Sequence, residues 1–260
     1  MNKTFYRYLV CLCLLLAPGH LPAQIYSSFF TGDTADVSPV PEFGLCLMGG
    51  GTENDNAMRW FLQKANGGDV VVIRASGSDG YNDYFFSELG VEVNSVETLL
   101  FRTREDASSE YVQRRLREAE AIWIAGGDQA RYREFWRETA VDTLLNAHVN
   151  EKQAPLGGTS AGMAILGESY FSAENGTVRS PEALASPLET ATAVKHGDFL
   201  HTPFLEKLVT DTHYDDPDRR GRHAVFVAAT SLQHNARAFG IACEEYTAVC
   251  IEADGLAKVF

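Results

Sequence analysis

One serine in this chain stands where it could act as a nucleophile: Ser160, within Gly157-Gly158-Thr159-Ser160-Ala161-Gly162. A short apolar run, Ala154-Pro155-Leu156, precedes it, and a helix-compatible run, Ala161 to Leu166, follows. A strand that turns sharply into a helix pushes one side chain into an exposed position at the sheet edge. Only small neighbours let the backbone turn so tightly. The helix would aim free N–H groups and its positive dipole end at an anion forming beside the serine. That is the geometry of acyl transfer.

A serine hydroxyl is a poor nucleophile until a base takes its proton and a third group orients the base. The chain has seven histidines. His20 falls in the N-terminal segment, and His148 is expected at a helix end, where a cation suits the dipole. His196 and His201 occupy a polar stretch expected to be exposed, and His223 and His234 lie in or beside the last helical region. His213 differs. It closes the strand-like run Leu208 to Tyr214, which breaks into Asp215-Asp216-Pro217-Asp218, and a strand end points toward the crevice of an α/β sheet. The basic cluster Arg219-Arg220-Gly221-Arg222 follows at once in an otherwise acidic chain. Cations at a helix N-terminus oppose the dipole, so a partner should hold them there. An anionic substrate group would serve, because the arginine fork matches a carboxylate. No His/Cys/Asp spacing fits a metal site, and no cofactor is expected.

The elements that must position these residues alternate. Apolar strands are expected at 43–48, 69–73, 91–96 and 121–125, with helices at 54–64, 81–89, 105–119 and 130–148. That alternation implies right-handed crossovers and a mostly parallel sheet covered on both faces. Three glycine-rich turns, 49–51, 126–127 and 157–158, lie at expected strand ends, and the latter two follow successive strands. Both should therefore open into one crevice. Residues 25–42 lack periodicity and read as a loose leader.

The chain has 260 residues, 45% of them hydrophobic, enough for one sizeable α/β domain or two small ones. Its formal net charge of −13 gives it no electrostatic reason to hold nucleic acid or an anionic membrane. Residues 1–24 read as a secretory signal: Lys3 and Arg7 precede the apolar core Leu9 to Ala17, and Leu21-Pro22-Ala23-Gln24 offers a cleavage zone. The apolar run is too short to span a bilayer. Export is expected, to a periplasm or to the outside. Cys46, Cys243 and Cys250 remain beyond the signal. Cys46 and Cys250 fall in strand-like runs as buried thiols, with a Cys243–Cys250 bridge as the alternative in an oxidising compartment.

Taken together, the motifs resemble the S51 serine peptidases, the cyanophycinase and α-aspartyl dipeptidase group. The resemblance runs from about Phe43 to the C-terminus and rests on five segments in order. These are Gly49-Gly50-Gly51, Gly126-Gly127-Asp128-Gln129, the serine turn, Asp211-Thr212-His213-Tyr214, and Gly240-Ile241-Ala242-Cys243-Glu244-Glu245-Tyr246-Thr247-Ala248. It implies a single domain over 43–260 with a three-layer α/β/α fold, class I glutamine amidotransferase-like and flavodoxin-like. It implies Ser160 as nucleophile, His213 as base and Glu245 as the acid, with Glu244 and Glu174 as the other candidates. Backbone N–H groups of Ala161 and the Gly126-Gly127 turn would form the oxyanion hole, and Gln129, Asp211, Arg219 and Arg222 would face the substrate. Two positions depart from the cyanophycinase pattern: Thr212 replaces a glutamine, and the arginine nearest the histidine is replaced within the acidic insert. The chain stops at Phe260 inside an expected strand, which leaves the usual closing hairpin in question.

The expected function is an exported serine exopeptidase that hydrolyses aspartyl-containing or β-aspartyl peptides through an acyl-enzyme. Its partner would be a small peptide or isopeptide bearing an acidic group, with no nucleic acid, no membrane after signal cleavage, and a homodimer left open. The rivals are an α/β-hydrolase esterase using Ser160, Asp211 and His234, a non-catalytic module that captures acidic peptides, and a class I amidotransferase, which would need cysteine at 160.

Overall fold

The computed structural model describes residues 26–187, 189–215 and 217–260, so the expected secretory signal lies outside the described residues. Five parallel strands form the middle of the molecule: β2 (Leu45–Met48), β3 (Asp69–Arg74), β4 (Ser95–Leu100), β5 (Ala121–Ile124) and β6 (Leu156–Thr159). The full sheet adds β1 (Ser27–Gly32), β11 (Ala248–Ile251) and β12 (Ala257–Val259), giving the order β1-β4-β3-β5-β6-β2-β11-β12. The five central strands are buried on both sides, and their alternate residues serve two cores. Leu47, Ile73, Ile122 and Leu156 pack under α2 (Glu110–Glu118), α3 (Gln129–Trp136) and α4 (Ala140–Asn150). Cys46, Met48, Val72 and Trp123 pack under α1 (Asp55–Gln63) and the π-type turn Tyr84–Glu88. The architecture is the expected three-layer α/β/α sandwich.

A second sheet was not expected. Here β7 (Ser169–Phe171), β8 (Val194–His196), β9 (Leu208–Asp211) and β10 (Phe239–Ala242) assemble in the order β10-β9-β7-β8. α6 (Ser180–Ala185) and α7 (Arg220–His234) cover it around Phe171, Val209 and Phe226. His213 therefore reaches the site from a different sheet than Ser160.

Other differences have local causes. The leader is not loose throughout: β1 pairs antiparallel with β4, and Ser28 Oγ donates to Glu97. The strand expected at 91–96 sits at Ser95–Leu100, because its buried Glu97, paired with Arg115 at 2.6 Å, interrupts the apolar pattern. The helix expected at 130–148 is two helices. Glu138 takes φ +58°, and Thr139 Oγ1 caps the second helix by accepting from the Val141 N–H at 3.2 Å. Likewise Ser109 caps α2, splitting the segment 105–119. Cys46, Cys243 and Cys250 are free, and Cys250 neighbours Cys46, not Cys243. The strand expected at the end of the chain is formed: β12 pairs antiparallel with β11.

Candidate active site

The serine turn follows from its glycines. Ser160 takes φ +51° and ψ −116°, a conformation that few non-glycine residues adopt outside a sharply forced turn. A Cβ on Gly162 would stand 2.1 Å from the Ile124 carbonyl oxygen, and one on Gly158 would stand 2.6 Å from the Gly162 carbonyl carbon. No other residue fits either position. The following helix, α5 (Ala161–Ala164), is a single turn where a longer helix was expected. Its macrodipole is correspondingly small, and the local N–H groups are what remains for an anion.

Ser160 Oγ lies 2.7 Å from His213 Nε2, and His213 Nδ1 lies 2.6 Å from Glu245 Oε1. With Nδ1–H donating to the carboxylate, Nε2 presents its lone pair to the serine hydroxyl, the tautomer a general base needs. Glu245 is the carboxylate that meets His213, and the two other candidates are occupied elsewhere. Glu244 accepts from the Asp215 N–H and from the Glu245 N–H at 2.8 Å. Glu174 is bound to Arg133 and, at 2.8 Å, to Lys195.

The first glycine turn holds the three loops together. The Ser160 N–H donates to the Met48 carbonyl and the His213 N–H to the Gly49 carbonyl, both at 3.0 Å. The Gly49 N–H donates to Thr247 and the Tyr246 N–H to Gly50, at 3.0 and 3.1 Å. Gly50, at φ +125°, lies against the His213 ring, and Gly51, at φ +71°, lies against the Glu245 carboxylate. The turn lies at the crevice, as its place at a strand end implies, and it also backs the histidine and the Glu245 carboxylate, a contact that no local pattern marks.

Gly127, Ala161, Gln129, Thr212, Arg219 and Arg222 line one cleft with Ser160 and His213. Gly126 lies beside it, where a Cβ would be 3.5 Å from that of Ser160. Buried Tyr132, absent from the expected set, reaches the Ala125 and Gly126 carbonyls with its hydroxyl, at 2.8 and 2.9 Å. That anchors the backbone turn just before Gly127, the turn expected to donate to an oxyanion. Gln129 Nε2 donates to the Phe171 carbonyl at 3.4 Å.

The expected substrate face needs a correction at Asp211. Its side chain is buried and spent on Arg222, with Arg222 Nε 3.0 Å from Oδ2 and Nη2 on Oδ1. Arg222 also donates to the Val178 carbonyl at 3.1 Å, and its guanidinium lies 5.4 Å over Phe171 and 5.6 Å over Phe226. Asp211 therefore positions Arg222 and does not face a substrate, and little of Arg222 reaches the cleft. Arg220 pairs with Asp215, so acidic neighbours, not a ligand, compensate much of the basic cluster. Arg219 differs. It donates through Nη1 to the Thr212 carbonyl at 3.0 Å, and burial together with the Arg222 charge pulls its pKa below the usual arginine range.

The other described histidines lie outside the relay. His148 is buried on the Pro155 carbonyl at 3.0 Å, and burial lowers its pKa to about 3, so it is neutral and not the helix-end cation expected. His223 is buried against the Val209 carbonyl, His196 bonds Ser169 Oγ at 2.9 Å, and the His201 carbonyl accepts from Asn150. His234 lies 3.5 Å from Ser169 Oγ. With His234 there and Asp211 on Arg222, the Ser160–Asp211–His234 arrangement is not formed.

A positive-φ serine at the carboxyl end of a parallel strand, relayed through histidine to glutamate, defines a serine-nucleophile site on an α/β/α sandwich. The comparisons with known proteins agree. The profile of peptidase family S51 matches residues 46–259, and the chain belongs to that family. It is 31% identical over 228 residues to a cyanophycinase of Synechococcus elongatus, covering 83% of this chain and 65% of that one. It is 30% identical over 174 residues to a cyanophycinase of Trichormus variabilis, covering 67% and 52%. The chain thus spans less than two thirds of the length of these curated relatives. A crystal structure of a peptidase from an acI-B1 Actinobacterium shares the fold, with a TM-score of 0.61 at 14% identity over 86% of this chain and 89% of that one.

Proposed function

We propose that this chain is an exported serine-type exopeptidase that hydrolyses aspartyl-containing or β-aspartyl peptides through an acyl-enzyme. The observation that carries the reading is the unbroken relay from Ser160 Oγ through His213 to Glu245. Its chemistry follows from general acid–base rules. His213 Nε2 takes the Ser160 proton as Oγ attacks the carbonyl, and Glu245 stabilises the resulting imidazolium. The Gly127 and Ala161 N–H groups serve the oxyanion, as fixed backbone donors already aimed at the developing charge. The imidazolium then protonates the leaving amine, and water, activated by the same base, releases the acyl group. Arg219 with Gln129 would hold an acidic group of the substrate, a reading supported by their place in the cleft and by the cyanophycinase relatives. Export rests on the cation-led apolar N-terminus of residues 1–24.

The test is a substrate profile. α- and β-aspartyl dipeptides, cyanophycin and simple esters are offered to the purified protein. Cleavage of aspartyl peptides that is lost in Ser160→Ala is expected. Hydrolysis of esters alone would overturn the peptidase reading.

A further inference from the structure

We propose that Cys46 and Cys250 are joined by a disulfide when the chain folds in an oxidising environment, and that this bridge staples the two strands carrying the catalytic loops. β2 and β11 run antiparallel with Cys250 directly opposite Cys46. Opposed residues in such a ladder have Cα atoms about 4.5–5.5 Å apart, within the roughly 4.4–6.8 Å that disulfides span. The sulfurs lie 3.7 Å apart, on the same face of the sheet, in the core under α1. Rotation about the Cα–Cβ bonds brings them to bonding distance without moving either strand. Cys243 is not part of the pair. It packs into the core on the opposite face, with its sulfur 3.5 Å from the Leu47 carbonyl oxygen.

Both paired thiols are buried in the folded chain, where neither a reductant nor an oxidant reaches them. The bond therefore forms during folding, before β11 closes on β2, and is shielded afterwards. The oxidant is a thiol–disulfide reagent, either a small disulfide such as oxidised glutathione or the disulfide of an oxidoreductase. One cysteine thiolate attacks it, giving a mixed disulfide and expelling the first thiol. The second cysteine thiolate attacks the mixed disulfide, forming the Cys46–Cys250 bond and expelling the second thiol. Two cysteine thiols are oxidised, one reagent disulfide is reduced, and the two protons end on the released thiols.

The position gives the bond a consequence for the site. β2 runs straight into the glycine turn behind His213 and Glu245, and β11 starts directly after Thr247. The loops beyond the two strand ends already exchange the Gly49–Thr247 and Tyr246–Gly50 hydrogen bonds. A covalent link further along the same ladder, beyond the Met48–Ala248 and Leu47–Val249 pairs, holds that pairing in register. It also joins residues 204 positions apart, the long-loop case in which a cross-link restricts the unfolded chain most.

The experiment refolds the full-length chain with reduced and oxidised glutathione, alkylates it under denaturing conditions, and maps the peptides without reduction. This reads the Cys46–Cys250 link separately from Cys11 and Cys13. A linked peptide pair containing Cys46 and Cys250 is expected, with Cys243 alkylated. The thermal midpoint of the oxidised form should exceed that of the reduced form by on the order of 5–15 °C. Cys250→Ala should lose this difference and Cys243→Ala should retain it. Refolded protein with alkylated Cys46 and Cys250, or a link that includes Cys243, would overturn the proposal. This outcome is independent of the peptidase reading, because neither sulfur takes part in the relay.

Discussion

Gly50 lies against the imidazole of His213 so closely that a Cβ there would stand 2.4 Å from Cε1 and 2.5 Å from Nε2, the atom that faces Ser160. The same backbone has φ +125°, a conformation that costs a residue with a side chain dearly. Gly50→Ala should therefore push the ring off the serine. The expected loss in kcat/KM is at least about a hundred-fold, the usual effect of roughly 1 Å of misplacement at a reacting group. Steady-state kinetics beside circular dichroism would check it. A folded variant with wild-type kinetics would show that the contact does not position the base.

Histidine substitutions separate the relay from its sequence-level rival. His213→Ala should lower kcat by on the order of 10⁶-fold, as removal of the base does in serine enzymes that act through such a unit. His234→Ala should leave kcat near wild type, because His234 meets Ser169 and not Ser160. Kinetics of the two purified variants decide the matter, and the reverse pattern would refute the assignment.

The two arginines that look alike in the sequence should fail differently. Asp211→Ala leaves the Arg222 guanidinium buried without its partner, so a stability loss of about 3–5 kcal/mol is expected by denaturant titration. Arg219→Ala removes a cation that keeps only the Thr212 oxygens as partners among the described residues. Its stability should change little. Its kcat/KM for acidic substrates should fall roughly ten- to hundred-fold, the worth of one charge-assisted hydrogen bond.

Acid should destabilise the fold partly through His148. In the folded chain burial keeps it neutral down to about pH 3, whereas an unfolded histidine takes up a proton near its ordinary pKa of about 6.5. Between those values the unfolded state binds the extra proton, so stability falls as pH drops, by up to about 1.4 kcal/mol per pH unit from this group. Above about pH 6.5 both states are neutral and the effect vanishes. His148→Gln should flatten the slope of stability against pH between 6.5 and 4, as read by urea titration. An unchanged slope would mean the proton is taken up elsewhere.

The sheet, its parallel centre and Ser160 were legible because apolar runs and small-residue turns are local patterns. What escaped has a long-range cause. β9 looks like another strand of the main sheet until β7 and β10 pair with it, and no local pattern announces a second sheet. Glu245 came before Glu244 only through the resemblance, because the carboxylate's contact with the glycine turn is made across nearly two hundred residues. Asp211 resembled a substrate ligand because its partner Arg222 lies one turn into the next helix, pointing back. The breaks at Ser109 and Thr139 were visible as capping residues and went unread because the apolar stripe continues past them.

The most direct measurement maps a fluorophosphonate adduct on the folded protein by peptide mass spectrometry. A single adduct on Ser160 is expected in the wild type, slowed steeply in His213→Ala and absent in Ser160→Ala. Well-folded wild-type protein that takes no adduct, or takes it on another residue, would contradict the assignment of Ser160 as an activated nucleophile.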